Sequence, residues 1–108
     1  MSFEIIATPR FQKEIKKLSK KHKSLKSDFA ELIAKLRINP THGTPLGNDC
    51  FKIRLAISSK GKGKSGGARV ITHFYFDGKQ LFLLSIFDKS QQESLTKKEL
   101  LSLLNKIK

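Results

Sequence analysis

The spacing of apolar residues changes near the middle of this chain, and that change limits the elements it can form. Up to Leu36 apolar side chains recur every three or four residues: Phe11, Ile15 and Leu18, then Leu25, Phe29, Leu32, Ile33 and Leu36. That spacing gathers them on one side of a helix. From Phe51 the period becomes two. Phe51, Ile53, Leu55 and Ile57 alternate with Lys52, Arg54 and Ala56, which predicts a strand with one apolar and one basic face. A run of helical spacing followed by a run of strand spacing belongs to an α+β chain rather than to alternating β-α units.

Local signals set the boundaries. Residues 3–7 are short and apolar and read as a strand. Thr8-Pro9 supplies an N-cap with proline at the first helical position. Residues 19–24 (SKKHKS) break the apolar pattern and predict the turn of a helical hairpin. Asn39-Pro40 stops the second helix, and residues 39–49 (NPTHGTPLGND), with two Pro, two Gly and two Asn, read as a surface loop. After the Gly/Lys connection 58–68, Arg69 to Phe76 and Leu81 to Phe87 form two further strands around an Asp77-Gly78 turn. Thr96 and Glu99 make a capping box, Leu95 and Leu100 a hydrophobic staple, and Leu100, Leu101, Leu103, Leu104 and Ile107 the buried stripe of a last helix. The expected order is β-α-α-β-β-β-α in one α+β domain over residues 1–108. The sheet is expected to be small and antiparallel, with the helices on one of its faces.

Charge then narrows the partners. Lys and Arg number 22 against 9 acids, giving +13. That exceeds the ~2–8 charges that keep a small domain soluble, and it favours a polyanion. A single cysteine, Cys50, excludes an internal disulfide and a multi-cysteine metal site and points to the cytoplasm. The opening MSFEIIATPR lacks the pattern of a signal peptide, and no apolar run approaches the ~18 residues of a membrane span, so no membrane partner is expected.

The basic residues are concentrated. Residues 50–76 contain Lys52, Arg54, Lys60, Lys62, Lys64 and Arg69 and no acid. Lys52 and Arg54 project from one face of their strand, and Arg69 shares parity with Ile71, His73 and Tyr75 on the next. A solvated sheet face usually mixes signs; a face of cations alone is relieved when a phosphate backbone displaces its counterions. Gly63-Lys64-Ser65 mimics the end of a Walker phosphate loop, but the motif's first glycine falls on Ser58 and a strand follows, so nucleotide hydrolysis is excluded. His73 is a candidate proton-transfer group on the basic strand, whereas His22 and His42 lie in a turn and a loop. No acids or histidines have metal-ligand spacing, and neither a metal nor another cofactor is implied. The seven lysines from Lys13 to Lys26 read as the wet face of amphipathic helices, a face that could also meet a large polyanion.

Three stretches resemble one family. Cys50-Phe51-Lys52-Ile53-Arg54-Leu55 resembles the second strand of RelE-type toxins. KGKGKSGGARVI (60–71) is similar to the HigB branch of the same RelE/ParE superfamily, and Leu83 to Lys89 resembles its last strand and turn. The resemblance spans nearly the whole chain. It implies the RelE-like fold and the toxin of a type II toxin–antitoxin pair, with a cognate antitoxin, the ribosome and mRNA as partners. The activity implied is metal-independent endoribonuclease cleavage of mRNA. By position, Lys52 and Arg54 match residues that contact RNA and assist proton transfer, Arg69 matches the arginine on the phosphate, and Lys89 matches a basic residue after the last strand. Lys52 or His73 is expected to take the 2′-OH proton, with Lys60, Lys62 and Lys64 tracking RNA. Phe87 stands where relatives carry Tyr, which leaves it stacking on a base as its role; Asp88 replaces a Gly and Leu95 a Tyr. A gyrase-poisoning ParE-like toxin and a non-enzymatic RNA- or DNA-binding module are the alternatives.

Overall fold

The computed structural model describes residues 3–60, 66–92 and 94–107. The elements are β1 (Glu4–Ala7), α1 (Pro9–Lys21), α2 (Leu25–Ile38), β2 (Thr44–Gly47), β3 (Cys50–Leu55), a 3-10 turn (Ser58–Lys60), β4 (Ala68–Tyr75), β5 (Gln80–Asp88) and α3 (Lys97–Asn105). The strands form one sheet in the order β1-β5-β4-β3-β2. The three consecutive antiparallel strands expected from Phe51 onward are β3, β4 and β5.

Two strands were not expected as they stand. β1 runs parallel to β5, from Glu4 opposite Gln80 to Ala7 opposite Leu83, so the sheet is mixed. β2 lies inside the stretch expected to be loop and pairs with β3, Thr44 opposite Lys52. Pro45 argues against a strand on sequence grounds, but an edge strand tolerates a residue without an N–H. The β2–β3 connection turns through Gly47, Asn48 and Asp49, all at positive φ.

The expectation that the helices share one sheet face is wrong. α1 and α2 cover one face, where Phe11, Leu18, Leu25, Leu32 and Leu36 pack on Ile53, Leu55, Val70, Leu81, Leu83 and Ile86. α3 covers the other, laying Leu100, Leu103 and Leu104 over Cys50, Ile71, Leu84 and Phe87. The reason lies in β5, whose QLFLLSIFD is apolar on both sides and needs cover on both. Each Leu, Ile or Phe so buried contributes ~1.5–3 kcal/mol. Leu101, expected in the α3 stripe, is 42% exposed, because it lies a helical step round from the Leu100-Leu103-Leu104 face.

A bulge in β5 decides which face its end presents. Ile71 pairs with Ser85 but Thr72 with Leu83, so Leu84 is an extra residue. Leu81 and Leu83 face α1 and α2; after the bulge Ile86 takes that face and Phe87 joins the α3 side.

α1 is pinned to β5 at its first turn. The Thr8 hydroxyl accepts from Phe11 N–H at 3.2 Å and donates to the Leu83 carbonyl at 3.0 Å. Beyond Leu83 β1 no longer flanks β5, and Glu14 accepts there from the Ile86 N–H (3.3 Å) and the Ser85 hydroxyl (2.8 Å). None of the helices is long and apolar enough to cross a membrane among the described residues.

Candidate functional site

The register of β3 on β4 builds the site. Arg54 lies directly opposite Arg69, Lys52 opposite Ile71, and Cys50 opposite His73. All six are on the α3 side of the sheet, by the alternation that sends Phe51, Ile53 and Leu55 to the other side. Directly opposed Cα atoms are ~4.5–5.5 Å apart, and like charges in such a pair repel. Arg54 and Arg69 are therefore held together by the sheet against their own repulsion.

The two arginines are not equivalent. Arg54 is exposed, whereas Arg69 is 4% exposed and donates to the Ala68 carbonyl at 3.1 Å. Burial, and then the charge of Arg54, hold the Arg69 guanidinium below its ordinary range. Both causes act against the charged form, and an approaching anion offsets both. Lys52 is half-buried two residues along β3 from Arg54, ~7 Å away.

The backbone around this pair is tightly drawn. Gly67 precedes β4 so close to β3 that a Cβ there would collide with the Leu55 carbonyl oxygen. Lys89 donates its N–H to the Gly67 carbonyl at 3.1 Å, which places the turn after β5 at the same end of the sheet as the arginines; its side chain is half-buried. Asp88, next to it, is buried, with Oδ1 accepting from the Ser90 N–H (2.9 Å) and hydroxyl (2.8 Å), and Oδ2 lying 3.4 Å from His22 Nε2.

Two expected residues take other places. His73 is four residues from Arg69 on the same strand, ~13 Å away. There its Nδ1 meets Cys50 Sγ at 3.6 Å, its ring stacks on Phe82 with centroids 6.3 Å apart, and it lines a 380 Å³ cavity with Tyr75, Gln80, Leu104 and Ile107. The structure does not bring it to the arginine pair. Burial, and then Asp49, push the Cys50 thiol up to about 11, so it is no nucleophile. Phe87, expected to stack on a base, is opposite Arg69 but only 7% exposed. The β5 bulge turns it into the core beneath α3, where it packs beside Arg69 instead of facing solvent. Lys60 ends the 3-10 turn; its side chain, with Lys62 and Lys64, lies outside the described residues.

One residue that sequence reasoning passed over supports the site from behind. Asp28, buried in the first turn of α2, accepts from the Ser58 hydroxyl (2.6 Å), the Ser58 N–H (2.9 Å) and the Ser24 hydroxyl (2.7 Å). Ser59 N–H donates to Ser24 Oγ at 2.8 Å. This latch fixes the turn where β3 ends and the Gly/Lys connection begins. Its signal in the sequence is only the pair Ser58-Ser59, 30 residues from the acid it meets. Among the described residues no three His, Cys, Asp or Glu gather as metal ligands.

A family model described as RelE toxin of RelE / RelB toxin-antitoxin system matches residues 10–107. The chain belongs to the RelE toxin family. That match takes in the whole basic cluster, from Lys52 to Lys89, and α3. The fold agrees. An E. coli RelE double mutant in the free state superposes with a TM-score of 0.64 at 19% identity, over 86% of this chain and 90% of that one. RelE in the intact E. coli RelBE toxin–antitoxin complex gives a TM-score of 0.51 at 24% identity, over 81% and 96%. The same E. coli mutant bound to a RelB peptide gives 0.52 at 22%, over 90% and 98%. The β3–β4 register thus sets an arginine pair on the sheet of a RelE-family toxin.

Proposed function

We propose that this RelE-family toxin is a ribosome-dependent endoribonuclease that cuts mRNA, and that the β3–β4 face is where it does so. The observation that carries the reading is Arg54 directly opposite Arg69, with Lys52 on the same face. RNA needs little from an enzyme here. The 2′-oxygen attacks the adjacent phosphorus, the bond to the 5′-oxygen breaks, and one proton must leave the nucleophile while another reaches the leaving oxygen. Arg54 and Arg69 hold the phosphate and the negative charge that grows on it, a kind of stabilisation commonly worth ~3–4 kcal/mol per fixed donor. Lys52, on the same face, handles the 2′-OH proton; proton transfer of this kind contributes roughly 10²–10⁴-fold. Lys89, at the same end of the sheet, is the candidate donor to the leaving oxygen. No step uses a metal. An antitoxin that covers this face and restrains the toxin is the partner the reading requires, and E. coli RelE has been solved with RelB.

Induced expression with mapping of transcript 5′ ends, with and without active translation, tests the reading. Wild-type protein should produce new ends only while ribosomes translate. Arg69→Ala should abolish the ends and relieve growth arrest, and Lys52→Met should slow cleavage by ~10²-fold or more. DNA breaks with intact transcripts would instead assign the protein to gyrase poisoning, and full-rate cleavage by Arg69→Ala would remove that residue from the mechanism.

A further inference from the structure

An acid stands beside the arginine pair. Asp88 follows Phe87, the residue opposite Arg69, and is itself opposite Ala68. Ala68 packs in the core beneath α1 and α2, so alternation sends the Asp88 carboxylate to that side of the sheet, away from the arginine face. There it is buried and meets His22, the residue that caps the C-terminal end of α1. The His22 side chain is 14% exposed, and its Nε2 lies 3.4 Å from Asp88 Oδ2.

Asp88 organises the turn that follows β5. Its Oδ1 accepts from the Ser90 N–H and hydroxyl, and its backbone carbonyl accepts from the N–H groups of Gln91 (3.0 Å) and Gln92 (3.1 Å). Lys89 sits inside this turn, with its own N–H on the Gly67 carbonyl. Three backbone N–H groups thus converge on one residue, and His22 ties that residue to α1. His22 is itself held at both backbone groups. Its N–H donates to the Leu18 carbonyl at 3.0 Å, and its carbonyl accepts from the Leu25 N–H at 3.1 Å. Two residues on, Ser24 holds Ser59 at the exit of β3. The short α1–α2 connection therefore reaches the turns after both β3 and β5, at the end of the sheet where the arginine pair stands.

As a stabilising contact His22–Asp88 is weak. At 3.4 Å it is longer than an ordinary N–H···O bond, and among the described residues the buried Nε2 has no hydrogen-bond partner. Buried polar atoms left in that state are few in a fold and call for a reason other than stability. Direction supplies one. A nitrogen on a fixed imidazole sets where Oδ2 lies and leaves Oδ1 to Ser90, so the carboxylate can hold the turn in one arrangement.

We propose that His22 is a positioning residue for RNA cleavage: acting through Asp88, it fixes the turn 88–92 and keeps Lys89 at the arginine pair. This rests on the reading of Lys89 as proton donor to the leaving oxygen.

The test measures cleavage of a defined mRNA on translating ribosomes by the full chain, together with amide hydrogen exchange of the free protein. His22→Leu should lower kcat by ~10- to 10²-fold with KM unchanged, the effect of a displaced group rather than of lost binding. His22→Gln, whose amide nitrogen reaches the place of Nε2, should restore most of the rate. Asp88→Ala should reproduce the defect, and the double variant should be no slower than Asp88→Ala alone. In His22→Leu the Lys89 amide should exchange faster while Ile53 and Val70 keep their protection. A folded His22→Leu protein with wild-type kcat and wild-type Lys89 exchange would overturn the proposal. So would loss of protection throughout β3 and β4, which would make His22 a residue of the fold at large. Should the wild-type protein cut no RNA, the ribonuclease reading fails by itself, and Lys89 exchange still decides whether His22 holds the turn.

Discussion

Arg69 shows how much a residue's meaning depends on what stands across from it. In sequence it is one of 22 cations; in the sheet it is a buried guanidinium opposite a second arginine. Asp28 is the converse, an acid that burial alone would push up. The Ser58 and Ser24 hydroxyls and the Ser58 N–H outweigh that and hold its carboxyl below the ordinary value of 3.8. A carboxylate depressed on folding stabilises the protein above its unfolded pKa, and that stability is lost as pH falls through the folded value. Melting temperature should therefore fall as pH drops below about 4, and Asp28→Asn should flatten part of that fall. Asp28→Ala removes three charge-assisted hydrogen bonds and strands their donors, at a cost of ~2–4 kcal/mol; calorimetry should show Tm lower by ~10 °C or more. A loss under ~1 kcal/mol would mean the latch is ornamental.

At the scale of elements, the helices were legible and the strands only partly so. Helix α3 announces itself through Thr96 and Glu99, and the capping box forms as expected, with both of its hydrogen bonds near 3 Å. The β3 face was equally plain, because a strict alternation in a half-buried strand can be read in only one way. β5 could not be read so. Alternation from Leu81 puts Phe87 on the α1 side, and only the extra Leu84 moves it beneath α3 beside Arg69. Nothing in a run that is apolar on both faces marks where the count slips. The close passage at Gly67 is also a tertiary fact. Gly67→Ala should destabilise the protein by ~2 kcal/mol or more, since backbone must move, and should speed amide exchange on β3 and β4. Exchange unchanged at Leu55 and Ala68 would show that the chain yields there without strain.

For the whole molecule the dominant fact is a net charge of +13 on 108 residues. So large an excess repels itself, and screening should relieve it. Tm should rise by several degrees between low salt and ~0.5 M NaCl, the reverse of a fold held by surface ion pairs. A Tm that falls with salt would mean that ion pairs such as Arg10–Glu14 outweigh the repulsion. The sequence by itself determined the helices, the strands β1, β3, β4 and β5, the α+β class and the basic face of β3, because apolar period and capping chemistry act over a few residues, whereas β2, with its Pro45, read as loop. It also carried the family resemblance. Which faces the helices cover, the parallel placement of β1, the separation of His73 from Arg69 and the burial of Phe87 were decided only by the tertiary structure. Each depends on strand order, register or a bulge, which are set by the fit of segments far apart in the chain and leave no periodic trace within any one of them.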